Sequence, residues 1–301
     1  MINIKHIFRS QKLRHRIMRF GKFLPDSIMI SLQYRILLGR WPDLKNPKRF
    51  SEWIQWYKIN CRDLKMLQCV DKYEVRDYVE NKGCGKYLND LYQICDNAEE
   101  IDFEKIPQKF VIKTTSGGGG DNVLIIKDKS TLNIQKTIEI VNSWLYKNYS
   151  DTSREWAYSE AAAHPRIIVE EYLQNNDNSL DDYKFFCFNG KCQYFKVDFN
   201  RYSNHQANYY SREFSLLHVT EEGFTPDPNY HLLKSEDLNA MIRVAEKLAS
   251  DFNFVRVDLY NVNGKIVFGE LTFYPGSGYG KFTPDSYDFE FGKYFNNQIH
   301  G

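Results

Sequence analysis

The sequence predicts an α+β protein. From Ile106 onward short β-type runs are separated by single amphipathic helices, and two Asn-Gly dipeptides, Asn189-Gly190 and Asn263-Gly264, lie between pairs of apolar runs as hairpin turns. An aromatic content of 16%, with 21 Tyr and 21 Phe, suits a β-rich core.

The first hundred residues read as mostly helical. Arg49–Asn60 carries Phe50, Trp53, Ile54, Trp56 and Tyr57, with Ser51 as its expected cap. Asp71–Asn81 carries Tyr73, Val75, Tyr78 and Val79 and is broken by Gly83-Cys84-Gly85, after which an apolar segment begins at Tyr87. Phe110–Thr114 and Asn122–Lys127 form a hairpin around glycines, and Thr131–Asn148 has a helical stripe in Ile134, Ile138, Val141, Trp144 and Leu145. Ile167–Leu173 is a short β-branched run. Tyr183–Phe188 pairs with Lys191–Val197, and Val255–Val262 with Lys265–Leu271. Between those hairpins Ser235–Phe252 is an amphipathic helix, with Leu238, Met241, Ile242, Ala245, Leu248 and Ala249 on one face. Three parts are expected: a helical region over 1–105, a smaller lobe over 106–173 and a larger lobe over 174–301.

At 301 residues the chain is long enough for two or three lobes, and its net charge of +1 gives no field that would attract nucleic acid. Six cysteines occur without a C-x-x-C pair or zinc spacing, which fits reduced thiols in a cytoplasm. Cys187 and Cys192 flank the Asn189-Gly190 turn and are expected to face each other as structural thiols. No apolar run is long enough to span a bilayer, so the protein is expected to be soluble or peripheral. Charge is concentrated at the start. Residues 1–25 hold Lys5, Arg9, Lys12, Arg14, Arg16, Arg19 and Lys22 with no carboxylate, beside Leu13, Ile17, Phe20 and Leu24 at helical spacing. Such a basic amphipathic segment either rests on a membrane surface or docks on its own domain.

The chemistry begins at FVIKTTSGGGGDNVLII. Lys113 ends a strand, Ser116 and Gly117, Gly118, Gly119 and Gly120 follow, and a second strand returns. Lysine is a compact charge suited to phosphate oxygens, and a glycine tract lets backbone N–H groups approach a phosphate chain. A strand–glycine–strand order is neither a Walker A loop nor a dinucleotide fingerprint. Around Asn263-Gly264, Asp258 and Glu270 fall nearly opposite, close enough to hold Mg²⁺ with nucleotide phosphates; without a cation such a pair repels. Arg256 stands two residues before Asp258 on the same face, and Lys113, Lys184 and Arg256 together would neutralise a triphosphate. Glu170-Glu171-Tyr172-Leu173 ends a strand that would offer backbone groups to an adenine edge and a carboxylate to ribose.

A lysine near a strand end, a Gly-rich hairpin, a helix, an E-E-Y-L hinge, a basic strand and then D…E across a hairpin is the order of parts in the ATP-grasp fold. The chain resembles its TupA-like branch from DKYEVRDYV through FVIK, IIVEEYL, DDYKFFCFNGK and VRVDLYNVNGKIVFGELTFYP to the terminal YDFEFG. That branch is associated with teichuronopeptide and other surface-polysaccharide biosynthesis. The resemblance implies an ATP-grasp fold behind a mostly helical amino-terminal region. It assigns Lys72 and Lys113 to the nucleotide, Glu170, Glu171 and Leu173 to the adenine–ribose hinge, Lys184 and Arg256 to phosphates, and Asp258 and Glu270 to Mg²⁺. Thr272 stands where many relatives have an asparagine metal ligand, and T-T-S leads into the glycines where an Asn-His pair is expected.

The activity implied is that of an ATP-dependent carboxylate–amine ligase working through an acyl phosphate in a cytoplasm or at the inner face of its membrane. Its substrates would be a small-molecule or lipid-linked saccharide and an amino acid or amine. Tyr274-Pro275-Gly276-Ser277-Gly278 follows the metal strand directly and is the expected acyl-phosphate pocket. Arg201, whose guanidinium grips carboxylates in two places, and His205 are the expected substrate contacts. A sugar kinase or glycosyltransferase of the same pathway, and a non-catalytic nucleotide-binding assembly protein, are the alternative classes.

Overall fold

The computed structural model describes residues 23–117, 122–146, 153–177, 179–201 and 204–296. Helix α1 (Asp26–Leu38) ends at Gly39 in the left-handed region and is followed by α2 (Phe50–Asn60). Ser51 does not cap α2. The start of that helix is closed by Glu52, which accepts from the Arg49 and Lys48 N–H groups, and by Asp288, which accepts from the Ser51 N–H at 2.9 Å. Both acids compensate the positive end of the helix. Short helices α3 (Leu64–Val70) and α4 (Val75–Asn81) follow, and Gly83 at φ +61° stops α4 where the glycine pair predicted a break.

The apolar segment beginning at Tyr87 becomes strand β1 (Leu91–Cys95). β1 forms one edge of an antiparallel four-stranded sheet of order β1-β4-β2-β3, with β2 (Phe110–Thr114), β3 (Val123–Ile126) and, after helix α5 (Ile134–Leu145) and the short α6 (Trp156–Ala161), β4 (Ile167–Glu171). Phe110, Ile112, Ile167 and Val169 point to one face and pack against Val141 and Trp144 of α5. Lys113 and Glu170 project from the other face.

A second antiparallel sheet contains β5 (Asp182–Phe188), β6 (Lys191–Phe199), β7 (Gln206–Ser211), β8 (Leu216–Leu217), β10 (Phe254–Val262) and β11 (Lys265–Thr272) in the order β11-β10-β5-β6-β7-β8. Strand β9 (Thr220–Glu221) pairs separately with β12 (Phe282–Thr283). Helix α7 (Ser235–Ala249) precedes β10 and α8 (Ser286–Asn296) closes the described chain. Both predicted hairpins form, with Asn189, Gly190, Asn263 and Gly264 at positive φ, as two-residue turns require.

The alternation of β5, β6 and β10 divides this sheet into two unlike faces. Phe185, Val197, Val257 and Leu259 share one face and the same core as Leu238, Met241 and Leu248 of α7. The opposite face is aromatic towards one end, where Phe186 stacks on Tyr194 at 4.5 Å and Tyr194 on Phe291 of α8 at 4.0 Å. Its other end is charged. Cys187 and Cys192 are register partners, buried and unoxidised, as their flanking of the turn predicted.

Candidate active site

One cross-strand row carries the charge. Lys196 of β6, Lys184 of β5, Asp258 of β10 and Glu270 of β11 are successive register partners. A bulge between Asp258 and Leu259 brings Glu270 into that row. Gly269 makes the bulge possible, since a Cβ there would lie 2.9 Å from the Asp258 carbonyl oxygen.

Asp258 and Glu270 do not face each other as a bare pair of like charges. Arg256 lies between them: its Nε and Nη2 donate to the two oxygens of Asp258 at 2.7 Å each, and Nη2 stands 3.5 Å from Glu270. Lys184 Nζ adds a bond to Asp258 at 2.9 Å and pairs with Asp182. Burial alone would raise the Asp258 pKa, but Arg256 and then Lys184 outweigh it and hold the carboxyl below its usual range. Burial likewise lowers Lys184, and the attraction of Asp182 and Asp258 more than reverses that. Asp182 itself is raised by burial, against the pull of Lys184. Expected repulsion is thus replaced by a neutralised cluster. Thr272 belongs to it, accepting from Arg256 at 3.0 Å and donating to Glu270 at 3.1 Å.

The small sheet supplies a second group from the facing side. Lys113 pairs with Glu170, and Lys72 Nζ donates to the Gly117 carbonyl at 2.5 Å. Burial pushes the Lys72 ammonium down; Glu270 is the next largest influence and raises it, while Lys113 lowers it further. Lys72 therefore senses both the small sheet and β11. Ser116 is buried and Gly117 has φ +108°, whereas Gly118, Gly119 and Gly120 lie outside the described residues. Glu171 ends β4, and Tyr172 and Leu173 leave the sheet ladder half-buried, with backbone groups outside strand pairing.

Beyond Lys184 the floor opens into a cavity of about 220 Å³, lined by Lys184, Lys196, Arg256, Glu221 and Phe224 and roofed by Pro275, Gly276, Gly278 and Phe282. Lys196 and Glu221 were not singled out in the sequence. Lys196 Nζ pairs with Asp198 at 3.1 Å and Glu221 at 2.9 Å and stands 3.5 Å over the Phe224 ring, while Tyr209 donates to Glu221 at 2.7 Å. The signal was present in mirrored patterns, D-x-K at 182–184 and K-x-D at 196–198, on either side of Asn189-Gly190.

Arg201 reaches Asp182 at 3.0 Å and His205 stands 3.8 Å from Asp198, so both border the far end of this charged face. Gly276 and Gly278 line the cavity. Ser277 turns away from it, for its carbonyl and hydroxyl accept from Lys58 of α2 at 2.8 Å each. Tyr274 is buried among the rings of Tyr57 and Tyr158. Gln55 holds the same turn through the Ser277 and Gly278 carbonyls. The basic segment over 1–22 lies outside the described residues.

A family model described as TupA-like ATPgrasp matches residues 52–296. The chain belongs to this family. The resemblance read from the order of motifs is therefore confirmed, and the two facing sheets are those of an ATP-grasp fold. Among solved structures, the D-alanine–D-alanine ligase from Helicobacter pylori is 14% identical, with 83% of this chain and 68% of that one covered and a TM-score of 0.47. The D-alanine–D-alanine ligase from Bacillus anthracis is 16% identical over 68% of this chain and 57% of its own, at 0.43. N5-carboxyaminoimidazole synthetase from Staphylococcus aureus, complexed with ADP, is 12% identical over 68% and 44%, at 0.38. The chain thus spans roughly half to two thirds of the length of these proteins. No curated protein matches it. Among the described residues no helix is long and apolar enough to cross a membrane.

The donors on β10 and β11 suit a hard cation. Asp258, Glu270 and Thr272 offer oxygen alone, the donor type that Mg²⁺ takes. Among the described residues no group of three or more His, Cys, Asp or Glu is placed to hold a metal by itself. The set therefore fits an ion that brings phosphate oxygens with it.

Proposed function

We propose that the protein is an ATP-dependent carboxylate–amine ligase. The observation that carries this reading is the placement of Lys72, Lys113 and Glu170 on one side and Lys184, Arg256, Asp258 and Glu270 on the other, with a cavity lined by Lys184 and Arg256. ATP would lie between the two sheets, its adenine and ribose along Glu170, Glu171, Tyr172 and Leu173. Lys72, Lys113 and the Ser116–Gly120 loop would hold its phosphates.

Asp258 and Glu270 would hold Mg²⁺, which would supply positive charge to offset the negative charge of the phosphates. Lys184 and Arg256 would orient the γ-phosphoryl group towards a carboxylate in the cavity. The carboxylate oxygen takes the phosphoryl group, ADP leaves, and an amine attacks the acyl carbon. Phosphate departs with that oxygen, and the amine loses its proton as the amide forms. We assign the carboxylate to a sugar acid and the amine to an amino acid or small amine in surface-polysaccharide biosynthesis. The division into 1–105, 106–173 and 174–301 belongs to this reading. So does a position in the cytoplasm, with the basic segment at 1–22 drawn to the inner face of an anionic membrane.

The test is phosphate release from Mg-ATP against a panel of uronic acids, amino acids and amines. Release is expected only when a carboxylate and an amine are both present, with labelled carboxylate oxygen recovered in the phosphate. A phosphorylated sugar formed without an amine would make the protein a kinase. Nucleotide binding without turnover on any acceptor would make it an assembly protein.

A further inference from the structure

Only one oxygen of the Glu221 carboxylate is engaged. Its Oε2 accepts from Lys196 at 2.9 Å and from the Tyr209 hydroxyl at 2.7 Å, which fixes the group on the wall of the cavity. Its Oε1 accepts no hydrogen bond among the described residues. That oxygen lies against the roof at two glycines: a Cβ on Gly280 would stand 2.7 Å from it, and one on Gly276 3.8 Å. Gly280 is not in the left-handed region, so its backbone does not call for glycine; what the missing side chain leaves is room at Oε1. This end of the cavity therefore presents a carboxylate oxygen held in place with no donor of its own.

The surroundings select an ammonium group as that donor. Lys196 is shared between Glu221 and Asp198, which it meets at 3.1 Å, and the next cation, Lys184, is bound by Asp182 and Asp258, so this end keeps an excess of negative charge. The rings of Tyr209, Phe224 and Phe282 line it, and aromatic faces attract a cation. Lys184 and Lys196 are register partners with Cβ atoms about 5 Å apart, so an acyl group at Lys184 and an amine at Glu221 would meet in one small cavity. We propose that Glu221 binds the amine substrate of the ligase and accepts its proton. This rests on the ligase reading above and gives that reading a site for its second substrate. Oε1 binds the ammonium form and takes one of its protons, which frees the nitrogen lone pair. That pair forms the C–N bond as the C–O bond to phosphate breaks. The surplus proton on nitrogen leaves with the phosphate, and Glu221 returns its own to solvent.

The experiment supplies the full chain with Mg-ATP, the uronic and amino acids of the panel above, and two kinds of nucleophile. One kind is the panel's amines, which are ammonium ions at neutral pH. The other is hydroxylamine, which is uncharged there and traps an acyl phosphate as a hydroxamate without needing a base. In Glu221→Gln the amide oxygen can keep the Lys196 and Tyr209 bonds while the acceptor at Oε1 is lost. Gly280→Ala leaves Glu221 in place and sets a methyl group against Oε1. Both variants should still form hydroxamate, yet lose at least about a hundredfold in amide formation from the amines, with a raised amine KM. If hydroxamate and amide fall together, Glu221 only shapes the cavity, and the inference falls while the ligase reading stands. It falls in the same way if neither product is reduced. If the original chain gives no hydroxamate with any acid, both fall. Should Glu221→Gln melt far below the original chain, Gly280→Ala decides alone.

Discussion

Arg256 grips both oxygens of Asp258 from two residues away on the same strand, at 2.7 Å each, and the same guanidinium reaches Thr272 and Glu270 on the next strand. The pair is structural before any ligand arrives.

Asp258→Asn should therefore cost stability. It leaves Arg256 and Lys184 without their shared counter-charge in a buried setting, a loss of about 3 kcal/mol. Glu270→Gln, at a half-exposed side chain, should change stability by less than about 1 kcal/mol. Both should lower ATP-dependent phosphate release by at least about a hundredfold. Urea melts beside phosphate assays separate the two effects; an Asp258→Asn protein as stable as the original would show that the cation cluster does not need this carboxylate.

Lys113 is predicted to bind nucleotide phosphate, and it also neutralises the mostly buried Glu170. Lys113→Met should weaken binding of a non-hydrolysable ATP analogue at least about tenfold, with a stability loss of about 1 kcal/mol. Calorimetry on Lys113→Met and Glu170→Gln checks this. Unchanged nucleotide affinity in the lysine variant would remove it from the site.

Lys58 is wholly buried, and burial lowers its pKa to about 8 although Glu155 pulls it upward. The unfolded chain keeps the ordinary lysine value, so between about pH 8 and 10.5 the unfolded state binds more protons and stability rises with pH. Below pH 8 the cost of the buried charge is fully present. Measured against Lys58→Met, the original chain should gain up to about 3 kcal/mol between pH 7.5 and 10.5. A flat difference in urea melts across that range would mean that Lys58 keeps its proton when folded.

Gly269→Ala probes the bulge. The added methyl would press on the Asp258 carbonyl at 2.9 Å and the Tyr260 ring at 3.1 Å. A loss of about 1–3 kcal/mol is expected, with a fall in turnover as Glu270 is displaced from Asp258. Normal melting and normal turnover together would show that the bulge has slack.

Much of this was legible because both hairpins are closed by Asn-Gly, which sets register by counting. Counting alone pairs Val262 with Lys265 and arrives at Asp258 opposite Gly269; the one-residue bulge moves Glu270 into place, and nothing but the glycine hints at it. The salt-bridged state of Asp258 was less visible, since sequence spacing puts Arg256 on its face without saying whether it bonds the acid or a ligand. Lys196 and Glu221 were missed because they meet only when β6 lies beside the loop that carries β9. Strand β1 was hidden by its position among helices; its pairing with β4, more than seventy residues away in no local pattern, decides its form. Gln55 and Lys58 read as ordinary polar positions on a helix, and their role in holding the turn at Ser277 depends on a contact across more than two hundred residues.

Each buried cation of the charged face already has an acid of its own, Arg256 with Asp258, Lys184 with Asp182 and Lys196 with Glu221. These acids act as tethered counter-ions. An arriving polyphosphate would displace carboxylates that cannot diffuse away, whereas an open basic groove would release small ions into bulk solvent. Affinity for nucleotide would then vary only weakly with ionic strength, because the exchange takes place among charges fixed well inside the Debye length.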